Sequence, residues 1–172
     1  MQRSLSILLP VRDSQATLTA LVVRVLEIAS ELTDQLEVLI VDNGSADHTL
    51  EVAHELAVRF PQVRVVRFNA RRQVEQAIRS ALERATGEAI LAYCGEQAVR
   101  PRNLAALRDL WAMSREADQD QGGRVAARSY PDWLIVNRRL RPRPSLRADG
   151  SGAPPPPRPN FLAKLRKFAL DD

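Results

Sequence analysis

Lysine is almost missing from this sequence of 172 residues: the only two are Lys164 and Lys167, near the C-terminal end. A P-loop needs a lysine in its Gly-Lys-Ser/Thr motif to reach a bound phosphate. A phosphoacceptor receiver domain depends on a lysine beside its acidic pocket. A dinucleotide-binding Rossmann domain needs a glycine-rich first turn, whereas residues 10–14 contain no glycine. These three site types are therefore excluded.

Cysteine and long apolar runs are also scarce. The single cysteine, Cys94, excludes an internal disulfide and is typical of a reducing compartment. No apolar run approaches the ~20 residues of a membrane-spanning helix, and Ile7-Leu8-Leu9 is far shorter than the ~7–15-residue apolar core of a signal peptide. We therefore expect a cytoplasmic protein, or one bound peripherally at the inner membrane surface.

The net charge of +4 is distributed unevenly along the chain. Residues 1–99 contain 10 Arg and 13 Asp or Glu, which leaves that part at −3. The basic excess lies in residues 100–172, mostly in a proline-rich end where charge usually serves solvation. We therefore expect no nucleic-acid partner.

Apolar runs and helical periodicities alternate from Ser6 to Ala117. Strands are predicted at residues 6–11, 37–41, 63–68 and 89–93, each followed by a helix with one apolar face. Gly87 is predicted at the C′ position of the third helix, and the fourth helix is predicted over residues 102–117. One further strand is predicted at residues 133–136. This order favours an α/β, Rossmann-like, mainly parallel sheet with helices on both faces.

The composition changes beyond residue 140. Residues 141–159 are rich in Pro, Arg, Gly and Ser, which predicts a disordered linker. Residues 161–170 have the spacing of a short basic amphipathic helix, or of a frayed tail with accidental periodicity. We expect a domain over residues 1–140 and a tail over residues 141–172, which would contact a protein partner or an anionic membrane.

The segment from Leu36 to Thr49 combines a buried strand with a polar turn. Residues 38–41 are uninterrupted apolar residues, as in a strand buried on both faces. Asp42 follows at the C-terminal end of that strand, where open α/β sheets bind ligands. Alternatively, Asp42 and Ser45 only turn the chain and cap the next helix, because Ser and Asp are preferred cap residues. The residues alone leave both interpretations open.

Three segments resemble, in order and spacing, the family 2 glycosyltransferases, whose nucleotide-binding half has the GT-A fold. They are Ser-Ile-Leu-Leu-Pro-Val-Arg-Asp from Ser6, Glu-Val-Leu-Ile-Val-Asp-Asn-Gly-Ser-Ala-Asp-His-Thr from Glu37, and Arg-Ser-Ala-Leu-Glu-Arg-Ala-Thr-Gly-Glu-Ala-Ile-Leu-Ala-Tyr from Arg79. The resemblance covers roughly residues 6–99. It implies a nucleotide pocket lined by Pro10, Asp13, Asp42 and Asn43. Arg71 and Arg72 would lie near the diphosphate, unless they only form a solvated helix start.

The chain departs from the family pattern after its fourth strand. The family has an Asp-x-Asp motif there, whose carboxylates hold a divalent cation against the diphosphate. Cys94, Gly95 and Glu96 occupy these positions, and a thiol is a poor ligand for Mg²⁺ or Mn²⁺. Glu96 is therefore the one candidate metal contact, with an exposed surface glutamate as the alternative. No catalytic base is identified; Asp132 is the only carboxylate directly before the late strand.

The resemblance implies an inverting transferase that binds a nucleotide-diphosphate sugar and passes the sugar to an acceptor. We expect its catalysis to be impaired, because the metal motif is replaced and the acceptor half is expected to be truncated. The alternative is a non-catalytic nucleotide-binding or scaffold module derived from the same fold.

Overall fold

A six-stranded sheet organises the part of the chain that the computed structural model describes, residues 3–95, 97–120, 127–130 and 132–138. The elements in chain order are β1 Leu5–Val11, α1 Leu18–Ser30, β2 Leu36–Asn43, α2 Thr49–Arg59, β3 Val63–Phe68, α3 Val74–Leu82, β4 Ala89–Tyr93, a 3-10 helix Pro101–Ala106, α4 Leu107–Asp120, β5 Ala127–Tyr130 and β6 Trp133–Asn137. Among these, no helix has the length and apolar content that crossing a membrane requires. Glu96, the domain boundary near residue 140 and the tail lie outside the described residues.

The strands follow the order β3-β2-β1-β4-β6-β5 across the sheet. Strands β1 to β4 are mutually parallel, with Val11 beside Asp42 and Asn43 beside Phe68. The last two strands are antiparallel: β6 pairs with β4, and β5 pairs with β6. The predicted mainly parallel sheet and the late strand are therefore confirmed, and β3 lies at the edge of the described sheet. Strand β5 was not predicted, because four residues with two polar side chains give no strand signal before the pairing is known.

Helices cover both faces of the sheet, as predicted. Leu5, Ile7 and Leu9 of β1 pack in one apolar cluster with α1, α2 and α4. Leu8, on the opposite side of the same strand, packs in a second cluster with Ile78 of α3. Successive residues of a strand point to opposite faces, so one uninterrupted apolar run supplies both cores.

Two predicted helix boundaries are wrong. Helix α3 ends at Leu82 and is capped by Glu83, so Gly87 is not its C′ residue. Gly87 is required for a close approach instead, because a Cβ there would lie 2.6 Å from the Ser6 backbone nitrogen. The predicted fourth helix is divided, since a 3-10 helix begins at Pro101 and precedes α4.

A buried polar cluster around Glu37 joins the N-terminal ends of the central strands. The Glu37 carboxylate accepts hydrogen bonds from Ser6 Oγ at 2.5 Å and the Thr86 N–H at 2.9 Å, and it pairs with the Arg64 guanidinium. Burial alone would raise the pKa of Glu37, but these hydrogen bonds and the Arg64 charge outweigh it and hold the pKa below its ordinary value of 4.5. This cluster stabilises the sheet at the edge opposite the cleft described next.

Candidate functional site

The strand order places a topological switch point at β1. The chain passes from β1 to β2 and β3 on one side, and α3 then returns it to β4 on the other side. Open α/β sheets bind ligands at the carboxyl ends of their strands at such a point. A cleft of about 460 Å³ lies there, which is within the usual size of small-molecule sites. Its lining residues are Pro10, Val11, Arg12, Asn43, Arg71, Arg72, Gln73, Val74, Gly95, Gln97 and Ala98.

Four residues of the predicted site meet in this cleft: Pro10, Asn43, Arg71 and Arg72. They come from β1, β2 and the loop between β3 and α3, and the parallel sheet brings those segments to one edge. Asp13, in the turn after β1, and Asp42, near the C-terminal end of β2, do not line the cleft. Their roles in nucleotide binding, like that of Glu96 in metal binding, stay predictions.

The turns after β1 and β2 hold each other through reciprocal hydrogen bonds. The Asp13 N–H donates to Ser45 Oγ at 3.0 Å, and the Ala46 N–H donates to Asp13 Oδ1 at 2.8 Å. The Ser14 N–H donates to Thr49 Oγ1 at 2.6 Å. Asp13 adopts a φ of 45°, an uncommon conformation that persists where surrounding contacts enforce it. Asp13 therefore shapes the turn next to the cleft.

Asp42 combines a turn-forming contact with an unsatisfied oxygen. Its Oδ1 accepts hydrogen bonds from the Ser45 N–H at 3.1 Å and Ser45 Oγ at 2.5 Å, so the turn-forming interpretation describes this half of the carboxylate. Its Oδ2 is buried and has no hydrogen-bond partner among the described residues. Leaving a buried acceptor unpaired costs about 1–3 kcal/mol, and Asp42 is fully buried and outside the cleft lining, so Oδ2 is an unsatisfied acceptor beside the cleft.

The end of β2 is hydrogen-bonded to the loop before α3 that carries Arg71 and Arg72. Asn43 Nδ2 donates to the Arg72 carbonyl at 2.8 Å, and the Arg72 N–H donates to Asn43 Oδ1 at 2.9 Å. Gly44 has a φ of 74°, and a Cβ at this position would lie 2.8 Å from the Arg71 backbone nitrogen. Only glycine accommodates both the conformation and the contact. Residues 70–72 are thus positioned by the backbone rather than by their own side chains.

Three guanidinium groups line the cleft in different states of restraint. The Arg72 guanidinium lies 4.3 Å from the centre of the Phe68 ring and donates to Ser80 Oγ at 3.4 Å. Arg12 Nε lies 3.4 Å from Asp13 Oδ2. The exposed Arg71 side chain has no hydrogen-bond or ion-pair partner within the described part of the chain. Arg12 was not among the residues predicted for the site; its place directly after a buried strand was the signal that could have identified it.

The residues described after β4 do not fit a divalent cation. Cys94 Sγ lies 3.5 Å from the Ala92 carbonyl and does not line the cleft. Burial and the nearby Glu75 raise the pKa of the Cys94 thiol, so it stays protonated at neutral pH. Mg²⁺ and Mn²⁺ prefer oxygen ligands. Within the described ranges, no group of three His, Cys, Asp or Glu side chains could hold a metal ion.

A second cleft, of about 400 Å³, lies next to the first and shares the lining residues Gln97 and Ala98 with it. Its remaining lining residues are Tyr93, Arg102, Asn103 and Asp132. Burial, assisted by the Asp132 carboxylate, raises the pKa of the Tyr93 hydroxyl above its ordinary value of 10.0. Asp132 is exposed with a φ of 62°, so the structure places it at the rim of a polar cleft next to the first.

The family model for Glycosyl transferase family 2 matches residues 6–94, just over half of the chain. The matched segment begins in β1 and ends directly after β4, so it contains the three parallel strands that border the cleft. Comparison with curated protein sequences found no significant match.

Two solved structures illustrate the structural likeness. A mannosyltransferase from Pyrobaculum calidifontis, in complex with GDP-Man and Mn²⁺, is 18% identical with a TM-score of 0.53, over 80% of this chain and 45% of that one. A glucosyl-3-phosphoglycerate synthase from Mycobacterium tuberculosis, in complex with Mn²⁺, UDP and glucosyl-3-phosphoglycerate, is 22% identical with a TM-score of 0.45, over 62% and 39%. The first likeness shows the same fold. The chain spans less than half the length of either protein.

Proposed function

The chain belongs to glycosyl transferase family 2, and from that premise we propose that its cleft binds a nucleotide-diphosphate sugar. The observation that carries this proposal is the position of the cleft, at the carboxyl ends of β1, β2 and β4 and largely within the matched segment. The mannosyltransferase that shares the fold holds a ligand of this class, GDP-Man.

The proposed ligand would meet different chemistry along the cleft. Asp42 lies next to this lining, at the end of β2, and for its buried Oδ2 to accept an N–H of the base or a hydroxyl of the ribose the ligand must reach past the lining residues. Arg71 and Arg72 suit the diphosphate, since a guanidinium fork matches phosphate oxygens. Pro10 and Asn43 would form the wall between these two regions.

The proposed reaction is sugar transfer with inversion at the anomeric carbon. An acceptor hydroxyl forms a bond to that carbon, its proton passes to a base, and the bond to the diphosphate breaks. The nucleoside diphosphate leaves with the bonding electrons. Negative charge grows on this leaving group, so cationic groups placed beside it stabilise the transition state more than the ground state.

Calorimetric titration tests the binding proposal directly. The protein is titrated with UDP, GDP, UDP-glucose and GDP-mannose, each with and without Mn²⁺. We expect saturable binding of at least one nucleotide, and release of the sugar from a bound donor, to an acceptor or to water, would establish transfer. Failure to bind either nucleotide in either buffer would contradict the proposal.

A non-catalytic nucleotide-binding module is the second candidate. The observation that favours it is Cys94, whose thiol lies against the Ala92 carbonyl where the family has a metal-binding carboxylate. This candidate predicts nucleotide binding in the titration above and an intact donor sugar after prolonged incubation. The two candidates are therefore separated by sugar release and not by affinity.

A further inference from the structure

We propose that arginine side chains, and not a divalent cation, neutralise the diphosphate in this cleft, so that nucleotide binding is independent of metal. The inference rests on the proposed function and deepens it, because it assigns the means by which the phosphates are held.

The first support is the donor chemistry at the end of β4. Of the three positions of the family's metal motif, one holds Cys94, whose thiol does not line the cleft, and the next is Gly95, which has no side chain. At most one carboxylate, Glu96, remains in the motif. A cation held by the diphosphate and one carboxylate would lack the second protein charge that the family motif supplies.

The second support is the charge on the cleft wall. Arg12 enters from the end of β1, and Arg71 and Arg72 enter from the segment before α3. The described lining residues contribute three positive charges and no acidic side chain. Among carboxylates of the described ranges, Asp13 alone forms an ion pair with one of these arginines, at 3.4 Å from Arg12 Nε. A guanidinium remains charged at every relevant pH and binds phosphate oxygens in pairs. The arginines of the cleft wall thus supply the positive charge that a bound cation would otherwise supply.

The third support is that the backbone carrying Arg71 and Arg72 is held in position before any ligand arrives. Asn43 fixes the backbone of Arg72 from both sides, and the Phe68 ring restrains the Arg72 guanidinium. Gly44 lets the backbone of Arg71 approach the end of β2. Groups that are ordered in the free protein lose less entropy on binding, so the restrained Arg72 guanidinium and the fixed backbone of Arg71 suit an anion site.

The test compares nucleotide binding in EDTA with binding in Mn²⁺ by calorimetry, using UDP and GDP. We expect dissociation constants that agree within about threefold between the two buffers. In EDTA, Arg71→Ala and Arg12→Ala should each weaken binding by about 10-fold, the usual size for one charge-assisted hydrogen bond. The affinity of Arg71→Lys should lie between those of the unchanged protein and Arg71→Ala, because lysine keeps the charge but cannot donate two parallel hydrogen bonds as a guanidinium does. Uridine, which lacks the phosphates, should bind far more weakly than UDP.

Arg84→Ala is the matched control, because Arg84 is an exposed arginine beyond the end of α3 that does not line the cleft. Its dissociation constant should equal that of the unchanged protein, and thermal unfolding confirms that each variant is folded. Binding that EDTA abolishes and Mn²⁺ restores overturns the inference while leaving the proposed function intact. Binding in EDTA that neither arginine substitution weakens also overturns the inference. Binding of uridine as tight as that of UDP overturns it as well. No binding in either buffer overturns the inference and the proposed function together.

Discussion

At the scale of single residues, Asn43 and Gly44 determine where the cleft arginines lie. Asn43 donates and accepts with one amide, so it satisfies both the carbonyl and the N–H of Arg72. A carboxylate at this position could accept from the N–H but could not donate to the carbonyl. The Asn43 side chain therefore carries no charge, but its amide holds the loop before α3 in place.

We predict that Asn43→Asp lowers the free energy of unfolding by about 1–2 kcal/mol, because a buried donor is lost and a carboxylate faces the Arg72 carbonyl. Nucleotide affinity should fall with it, since the loop loses its anchor. Urea unfolding at pH 7 and calorimetry with UDP measure the two effects. Asn103→Asp is the control: Asn103 Oδ1 accepts from the Arg100 N–H, and a carboxylate preserves that bond. A larger stability loss in the control would contradict this account.

Gly44→Ala should reduce both stability and nucleotide affinity. The new Cβ would lie 2.8 Å from the Arg71 nitrogen, and the φ of 74° is strained for alanine, so we expect a loss of about 1–3 kcal/mol. Gly87→Ala provides the comparison, because its Cβ would collide with Ser6 at the opposite edge of the sheet. That variant should lose stability in urea while keeping its affinity for UDP. Equal affinity losses in the two variants would show that the effect is global unfolding.

At the scale of secondary structure elements, Glu37 joins strands at the sheet edge remote from the cleft. Its contacts reach β1 through Ser6, β3 through Arg64 and the segment before β4 through Thr86. Glu37 belongs to β2, so its carboxylate connects that strand with its neighbours β1 and β3 and with the segment before β4. The lowered pKa of Glu37 means that the folded state favours the charged carboxylate.

The lowered pKa predicts how stability depends on pH. Because the folded pKa lies below the ordinary value of 4.5, the contribution of Glu37 is complete above that value and is lost as the pH falls through the folded pKa. Glu37→Gln should therefore be less stable at pH 7, and the difference should shrink as the pH falls below 4.5. Urea midpoints measured from neutral to acidic pH test this. The exposed Glu55→Gln serves as the control and should leave the profile unchanged; a constant difference for Glu37→Gln would contradict the linkage.

At the scale of the whole molecule, the cleft is assembled from segments that are far apart in the chain. Residues between 10 and 98 line it, and they lie at or just after the ends of β1, β2 and β4 or at the start of α3 and just before it. A ligand bound there contacts several elements at once, so it binds the folded chain and not the unfolded one. Binding must then stabilise the entire described fold.

UDP or GDP should accordingly raise the thermal unfolding temperature. At a ligand concentration 100 times the dissociation constant, the expected gain is about 2.7 kcal/mol, which amounts to a shift of several degrees for a domain of this size. Differential scanning fluorimetry in EDTA measures it. Uridine at the same concentration should produce a much smaller shift, and the absence of any shift with either nucleotide would count against the cleft as the binding site.

The order and type of the main elements followed from the sequence alone, because apolar periodicity is a local property. The run at residues 38–41 specified a strand buried on both faces. The resemblance to the family, and not periodicity, placed Asn43 and Arg71 near one another, and both line the cleft. The local patterns missed β5, whose residues form a strand only through pairing with β6.

What only the tertiary structure decided is the direction and environment of individual side chains. Asp13 supports a turn, Arg12 lines the cleft, and the Cys94 thiol turns away from it. Gly87 was misjudged for the same reason, since its neighbour Ser6 is 81 positions away in the chain. Such contacts depend on which distant segments pack together, and residue order carries no direct measure of that. The elements were therefore determined by local patterns, and the chemistry of the cleft by long-range packing.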